Sequence, residues 1–329
     1  MKDRFSTIRR STNWRRFCSA ALAAAAAGAL AAQSNNWGKW GASDEAGTLN
    51  YITPEIVRRA AALVRQGKVY SLAIPLAPGQ PIWGPRVVQH FMTATGQNAG
   101  AGPGFADDHI SMPTHGTTHW DSLSHFYGQG KMYNGYDPQK EITHLGVAKN
   151  AIGRAANRVV TRGVLLDVAR YKGGSLGATD EITAADLEAA AKKQGVEIRP
   201  GDALLIRTGW LRIWAKDQAA FKTTAPGIGW AASQWLKRKQ IAAVAADTLS
   251  VEVQPAKPDS VKAVGLPGFP YPVHYELIRN QGMMLGEIFN LEEIGEACAQ
   301  DGVWEFLFVA QPLNLVRATG SPINPLAIK

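Results

Sequence analysis

His115-Gly116-Thr117-Thr118-His119-Trp120-Asp121-Ser122-Leu123-Ser124-His125 decides how the rest of this chain is read. It sets three imidazoles and one carboxylate at offsets 0, 4, 6 and 10. Six of the seven histidines of the 329-residue chain lie between positions 90 and 144. On a helix, His115 and His119 would share a face while Asp121 stood about 200° from His119. A turn or a short irregular stretch lets all of them converge. Two imidazoles and a carboxylate suit Zn or Mn, and three protein ligands leave a position for water. Such an ion lowers the pKa of bound water from about 15.7 to about 7 and so makes a hydroxide nucleophile. An unligated histidine beside it can take up and return the proton. His90, His109 and His144 stand outside this spacing and read as hydrogen-bonding residues rather than ligands.

Outward from the cluster, strands and helices alternate as in α/β folds. Residues 34–52 are rich in Gly, Asn and Trp and read as an ordered loop arm. Thr53-Pro54 opens a helix, with Thr at the N-cap and Pro at the first helical position, and Gly67 ends it. Residues 68–76 read as a strand and 77–108 as an extended loop. GVLLDVA (163–169), DALLIRTGW (202–210) and IAAVAADTLSV (241–251) read as buried strands. Helices are expected at 183–194 and 230–239, a Pro-rich loop at 255–272, and a helix at 273–281. A strand at 283–289, a helix at 290–298 and a closing strand at 304–315 complete the pattern. No composition break divides 33–329, which reads as one domain.

The formal charge is +8, from 35 Lys and Arg against 27 Asp and Glu. Of this, +5 lies in residues 1–32, which leaves +3 for the body. That gives no electrostatic case for a nucleic-acid partner. Residues 1–32 run from a basic region through the uncharged CSAALAAAAAGALAA to Ala29-Leu30-Ala31, the order of a cleavable signal peptide. The apolar part is too short for a spanning helix. Two Arg pairs are compatible with twin-arginine export. The expectation is an exported chain, periplasmic or secreted, with no membrane partner after cleavage. Cys18 leaves with the leader, and the lone Cys298 reads as a small buried apolar residue.

Other chemistries find no support. The phosphate-binding G-x-x-x-x-G-K-[ST] pattern is absent. Asp247-Thr-Leu-Ser250 ends a buried strand and reads equally as pocket lining or capping. Trp37, Trp40, Trp83, Trp120 and Phe126 are candidates for an aromatic substrate pocket; we single out Trp83, Trp120 and Phe126.

The 115–125 stretch resembles the HxGTHxDxPxH signature of the cyclase family of metal-dependent hydrolases, which includes kynurenine formamidases and isatin hydrolases. His115, Thr118, His119, Asp121 and His125 match it residue by residue. Thr117 stands where the family has Gly, and Leu123 where it has Pro; both bear on loop shape rather than ligation. NWGKWGASDEAGTLNYITPE, GKMYNGY (130–136) and the C-terminal GEIFNLEEIG are also similar to longer members. The resemblance implies an α/β fold with a barrel-like mixed sheet flanked by helices, in a homo-oligomer. It implies that His115, His119 and Asp121 hold a divalent metal and that His125 is the general base and acid. It also implies distal ligands, for which His274 and Glu287 are the candidates. The implied activity is hydrolysis of a small-molecule substrate, a cyclic or N-acyl amide or a lactone. Two alternatives stand beside it: a non-hydrolytic metal-dependent cyclase or dehydratase, and a binding protein that keeps the metal only as structure.

Overall fold

Four parallel strands carry the core: β5 (Val160–Asp167), β6 (Ala203–Arg207), β7 (Ala243–Ala246) and β8 (Met284–Glu287). The numbering counts β1 (Val69–Ser71), β2 (Gln89–Ala94), β3 (Asp107–Ser111) and β4 (His119–Asp121) before them. After them come β9 (Glu305–Val309), β10 (Gly320–Pro322) and β11 (Leu326–Ile328). Nine of these form one mixed sheet, in the order β1-β11-β9-β5-β6-β7-β8-β4-β10, curled into a half-barrel. The coordinates are a computed structural model that describes residues 35–98, 100 and 102–329. Residues 1–32, read from the sequence as a cleavable leader containing Cys18, lie outside the described residues. Trp37–Lys329 forms one compact unit.

The parallel strands read as unbroken apolar runs because both their faces are covered. Val164, Leu166, Leu204, Ile206, Val244 and Leu285 face a helical layer. That layer contains α2 (Ala184–Gln194) and α3 (Trp230–Arg238), α1 being Pro54–Ala61. The alternate residues Leu165, Leu205 and Ala245 join Trp120, Phe289, Phe306 and Phe308 in a second cluster on the other face. Helix α2 starts on a Thr183–Asp186 capping box and stops at Gly195, whose φ of 66° suits a left-handed cap. Cys298 is buried in the second cluster, as expected. Burial pushes its thiol up to about 11, so it is a packing residue rather than a nucleophile.

Several short elements differ from the sequence reading. The strand expected at 68–76 shrinks to β1. The expected loop at 77–108 holds most of a hairpin, β2 with β3. Almost every residue of that hairpin is exposed, so it carries none of the in–out alternation that marks a half-buried strand. The Pro-rich stretch contains helix α4 (Pro258–Val264), with Pro at its first position. The next helix, α5 (Pro272–His274), continues as a π-helical turn, Tyr275–Gln281. The expected closing strand ends at Val309, and β10 and β11 follow it. No described helix is long and apolar enough to cross a membrane.

Candidate metal centre

His119, Asp121 and Glu287 lie on strands rather than on a helix. In β4 the side chains alternate. His119 and Asp121 therefore share a face, and Trp120 between them enters the core. The antiparallel partner β8 places Glu287 opposite His119 and Leu285 opposite Asp121. Gly286 faces Trp120, and a Cβ there would come within 2.7 Å of Trp120 Cζ3 and of Ala245 Cβ. The backbone approach that brings Glu287 to His119 thus requires glycine. On the other side, β10 sets Gly320 against Asp121, and the His115 ring lies where a side chain at 320 would be. His115 precedes β4 in the irregular turn foreseen for it. His274 comes from α5, where Glu252 fixes it. The Glu252 carboxylate accepts from Val273 N and His274 N, at 3.0 Å each, and pairs with His274 Nδ1 at 2.5 Å.

These residues converge. The ligand atoms of His119, Asp121 and Glu287 all lie within 4.8 Å of one another, and so do those of His115, Asp121 and His125. Asp121 belongs to both sets. Its Oδ1 lies 2.7 Å from His115 Nδ1, 3.2 Å from His119 Nε2 and 3.9 Å from His125 Nε2. His274 Nε2 is 2.9 Å from Glu287 Oε1 and 3.7 Å from Asp121 Oδ2. His119 Nε2 is 3.4 Å from Glu287 Oε2, and its Nδ1 pairs with Thr117 O at 2.6 Å, which leaves Nε2 for the cluster. The His115 and His125 rings stack with centroids 3.9 Å apart. His115 is the closer to Asp121 and is also tied through Nε2 to Thr319 Oγ1 at 3.0 Å. His125 is the more exposed of the two, at 28%.

The charge distribution matches a cation site. Burial would raise the Asp121 carboxyl, but the imidazoles of His125, His115 and His119 hold it well below the usual carboxylate range. Burial raises Glu287, and the neighbouring charge of Asp121 adds to the rise. Hydrogen bonds to Glu252 and Glu287 outweigh burial at His274 and push it up to about 10. Burial drives His125 down to about 3, against the pull of Asp121 and with help from the other imidazoles. Asp121 Oδ2 is buried and accepts no hydrogen bond. An orphaned carboxylate oxygen among imidazole nitrogens, beside a second buried carboxylate, is a donor set that fits a divalent transition-metal ion.

The cluster opens on a cavity of about 230 Å³. His115, His119, His125, His274 and Glu287 line one side, and Trp83, Phe126, Leu249 and Tyr271 line the rest with Arg86. Trp83 and Phe126, two of the aromatic residues singled out from the sequence, thus line this cavity. Trp120 is a correction: it is fully buried, its Nε1 donates to Ala310 O at 2.7 Å, and it packs on Phe289 and Phe308. One residue between two ligands on a strand must point away from them. His90 pairs with Asp108 on the exposed hairpin, and neither His109 nor His144 lines the cavity. Ser250 Oγ donates to Glu252 O and Asp247 accepts from Thr208 and Gly209, so that strand end is mainly capping, with Leu249 in the wall. Sequence reasoning missed Glu252, Arg86 and Tyr271. Glu252 could have been noticed as an acidic residue directly after a buried strand; nothing in the spacing marked the other two.

The model of the Cyclase family, described as "Putative cyclase", matches residues 70–253. The chain belongs to the cyclase family. A solved "novel cyclase" is 42% identical, covers 90% of this chain and 97% of its own, and superposes with a TM-score of 0.82. Isatin hydrolase of Roseibium aggregatum is 26% identical over 234 residues, which is 69% of this chain and 76% of the relative. An isatin hydrolase solved with the product analogue thioisatinate shares the fold, with a TM-score of 0.56 at 20% identity over 84% of this chain and 98% of its own.

Proposed function

We propose that this cyclase-family chain is a metal-dependent hydrolase that opens a small cyclic or N-acyl amide, or a lactone. One observation carries the reading: buried Asp121, with an unpartnered oxygen, is shared by two triads of donor atoms whose other members line a cavity. Isatin hydrolase among the relatives supports the choice of cyclic amides. His119, Asp121 and Glu287 would hold the ion, with His115 and His274 beside them, and Zn or Mn fits the mix of nitrogen and oxygen donors. A divalent ion bound there supplies a Lewis acid that polarises a carbonyl and acidifies water.

The chain's own residues do the rest. His125 is held as the neutral imidazole by burial, so its lone pair is available at neutral pH. It takes a proton from the attacking water and returns it to the departing nitrogen or oxygen. Its position at the cavity wall, with access to solvent, suits both transfers. Glu252 fixes the His274 ring by holding Nδ1. Trp83 and Phe126 offer flat apolar surface for a ring. The cavity is smaller than the usual range for drug-sized ligands, about 300–1,000 Å³, which favours a compact substrate. The reading includes export directed by residues 1–32, which are then removed, and a homo-oligomer. In support of the latter, Phe91 and Met92 on the hairpin are about half exposed.

The test is direct. Metal is assayed in the purified protein, and lactams, formamides, imides and lactones are then screened with and without chelator. A stoichiometric divalent ion and chelator-sensitive ring opening are expected. A protein that takes up no metal, or whose turnover ignores the chelator, sinks the proposal. Labelled water in the product separates hydrolysis from a dehydratase or cyclase reaction.

A further inference from the structure

The cavity wall contains one side chain of permanent positive charge, and nothing in the chemistry above uses it. Arg86 lies in a strap, residues 82–88, that runs against the loop before β4. Trp83 N donates to Gly116 O at 3.3 Å, and Gly116 is packed so closely on Pro113 and Ile82 that a Cβ there would come within 2.9 Å of Pro113 Cγ. The guanidinium lies 5.2 Å from the centroid of the Trp83 ring, and its Nη1 donates to the His115 carbonyl. It has no carboxylate partner among the described residues. A guanidinium carries five N–H donors in a planar fork, and among the described residues only one of them is occupied. Stacked on an indole and pinned to backbone, the fork has lost most of its freedom before any ligand arrives.

We propose that Arg86 anchors a carboxylate on the substrate, set apart from the scissile carbonyl, so that the preferred substrates are acidic amides or lactones. The inference rests on the hydrolase reading and narrows its substrate class. Its logic is electrostatic. Glu287 lines the cavity, with Asp121 and Glu252 buried against its histidines, and this negative charge would repel an anionic substrate. A planar cation at the rim offsets that repulsion and binds carboxylate through two parallel hydrogen bonds. An ion held by the donor cluster and Arg86 at the wall would give two fixed points that orient a small molecule about the bond to be broken. A plain alternative is that Arg86 only props the His115 carbonyl.

The experiment uses metal-loaded protein and isothermal titration calorimetry. The probes are benzoate and the three benzenedicarboxylates, in which a second carboxylate stands at three different separations from the first. At least one isomer is expected to bind about 10-fold or more tightly than benzoate. Arg86→Gln should abolish that preference while metal content and benzoate affinity stay at the parent level. Arg86→Lys should keep part of it. The proposal is overturned if none of the three isomers outbinds benzoate in the parent protein, or if the preference survives Arg86→Gln. Loss of metal together with equal weakening of all four probes would assign Arg86 the propping role and would also overturn it. Failure of the hydrolase reading looks different: the parent protein would take up no divalent ion at the outset.

Discussion

Two of the buried ionic clusters on the half-barrel sheet are built on opposite plans. In the first, Asp167 ends β5 and faces Arg207 at the end of β6. Arg207 Nη1 lies 2.8 Å from Asp167 Oδ1, and its Nη2 lies 2.8 Å from Glu292 Oε2. Arg170 and Arg212 add further pairs. In the second, Asp121 and Glu287 meet only imidazoles. Orphaned atoms occur in both, but every carboxylate of the first cluster has a guanidinium that cannot give up its charge. The second relies on groups that titrate and that bind metals when neutral. Where the cation is part of the chain, a buried carboxylate is structural. Where the chain supplies only nitrogen and oxygen donors, the cation comes from solution.

This contrast can be broken by experiment. The largest effect should come from Asp121, which belongs to both triads. Asp121→Asn should strip the metal and reduce hydrolysis to background, as chelation should in the parent protein. Full metal occupancy in that variant would remove Asp121 from the shell. Next is His125→Gln, expected to lower kcat by about 10²–10⁴ with metal content unchanged. If it instead lost metal and kept its rate, ligand and base would have been interchanged. In the first cluster, Arg207→Met should cost about 3–5 kcal/mol of stability, because it strands buried Asp167 without its main cation. Denaturant unfolding measures that loss, and kcat per bound metal should not move. A drop in kcat per metal would mean that the two clusters are coupled and that the contrast is false.

The parts of this molecule legible in the sequence were those with a physical period or a dense chemical signal. The runs in β5, β6 and β7 announced themselves because both faces are buried. Helix α2 announced itself through Thr183 and Asp186 at its start. Three histidines and an aspartate in eleven residues announced the site. The fold family came from resemblance rather than from any period. What escaped has a common cause. Hairpin β2–β3 is exposed on both sides, so no hydrophobic alternation marks it. Strands β10 and β11 have three residues each, too few for a period. Trp120 turns away from the pocket because a strand sends alternate side chains to opposite faces, a constraint that the chemistry of its neighbours does not carry. Arg86 and Glu252 join the site only through tertiary packing, from 29 and 137 positions before and after His115.

The smallest of these effects separates orientation from ligation. Glu252 resembles the first cluster in being a buried carboxylate with fixed partners, two backbone N–H groups and the His274 ring. It resembles the second in having an imidazole where the first has guanidinium. Glu252→Gln keeps the size and part of the hydrogen bonding but removes the charge that fixes which ring nitrogen of His274 carries the proton. If His274 contributes to the metal shell through Nε2, metal affinity should fall by about 10–100-fold. The drop should appear in competition with a chelator, while denaturant stability of the metal-loaded protein changes little. An unchanged affinity would place His274 outside the shell and leave Glu287 as the single ligand contributed from beyond β4 and its preceding turn. A variant that unfolds at neutral pH would show that Glu252 belongs with Asp167, as a structural carboxylate whose partner happens to be a histidine.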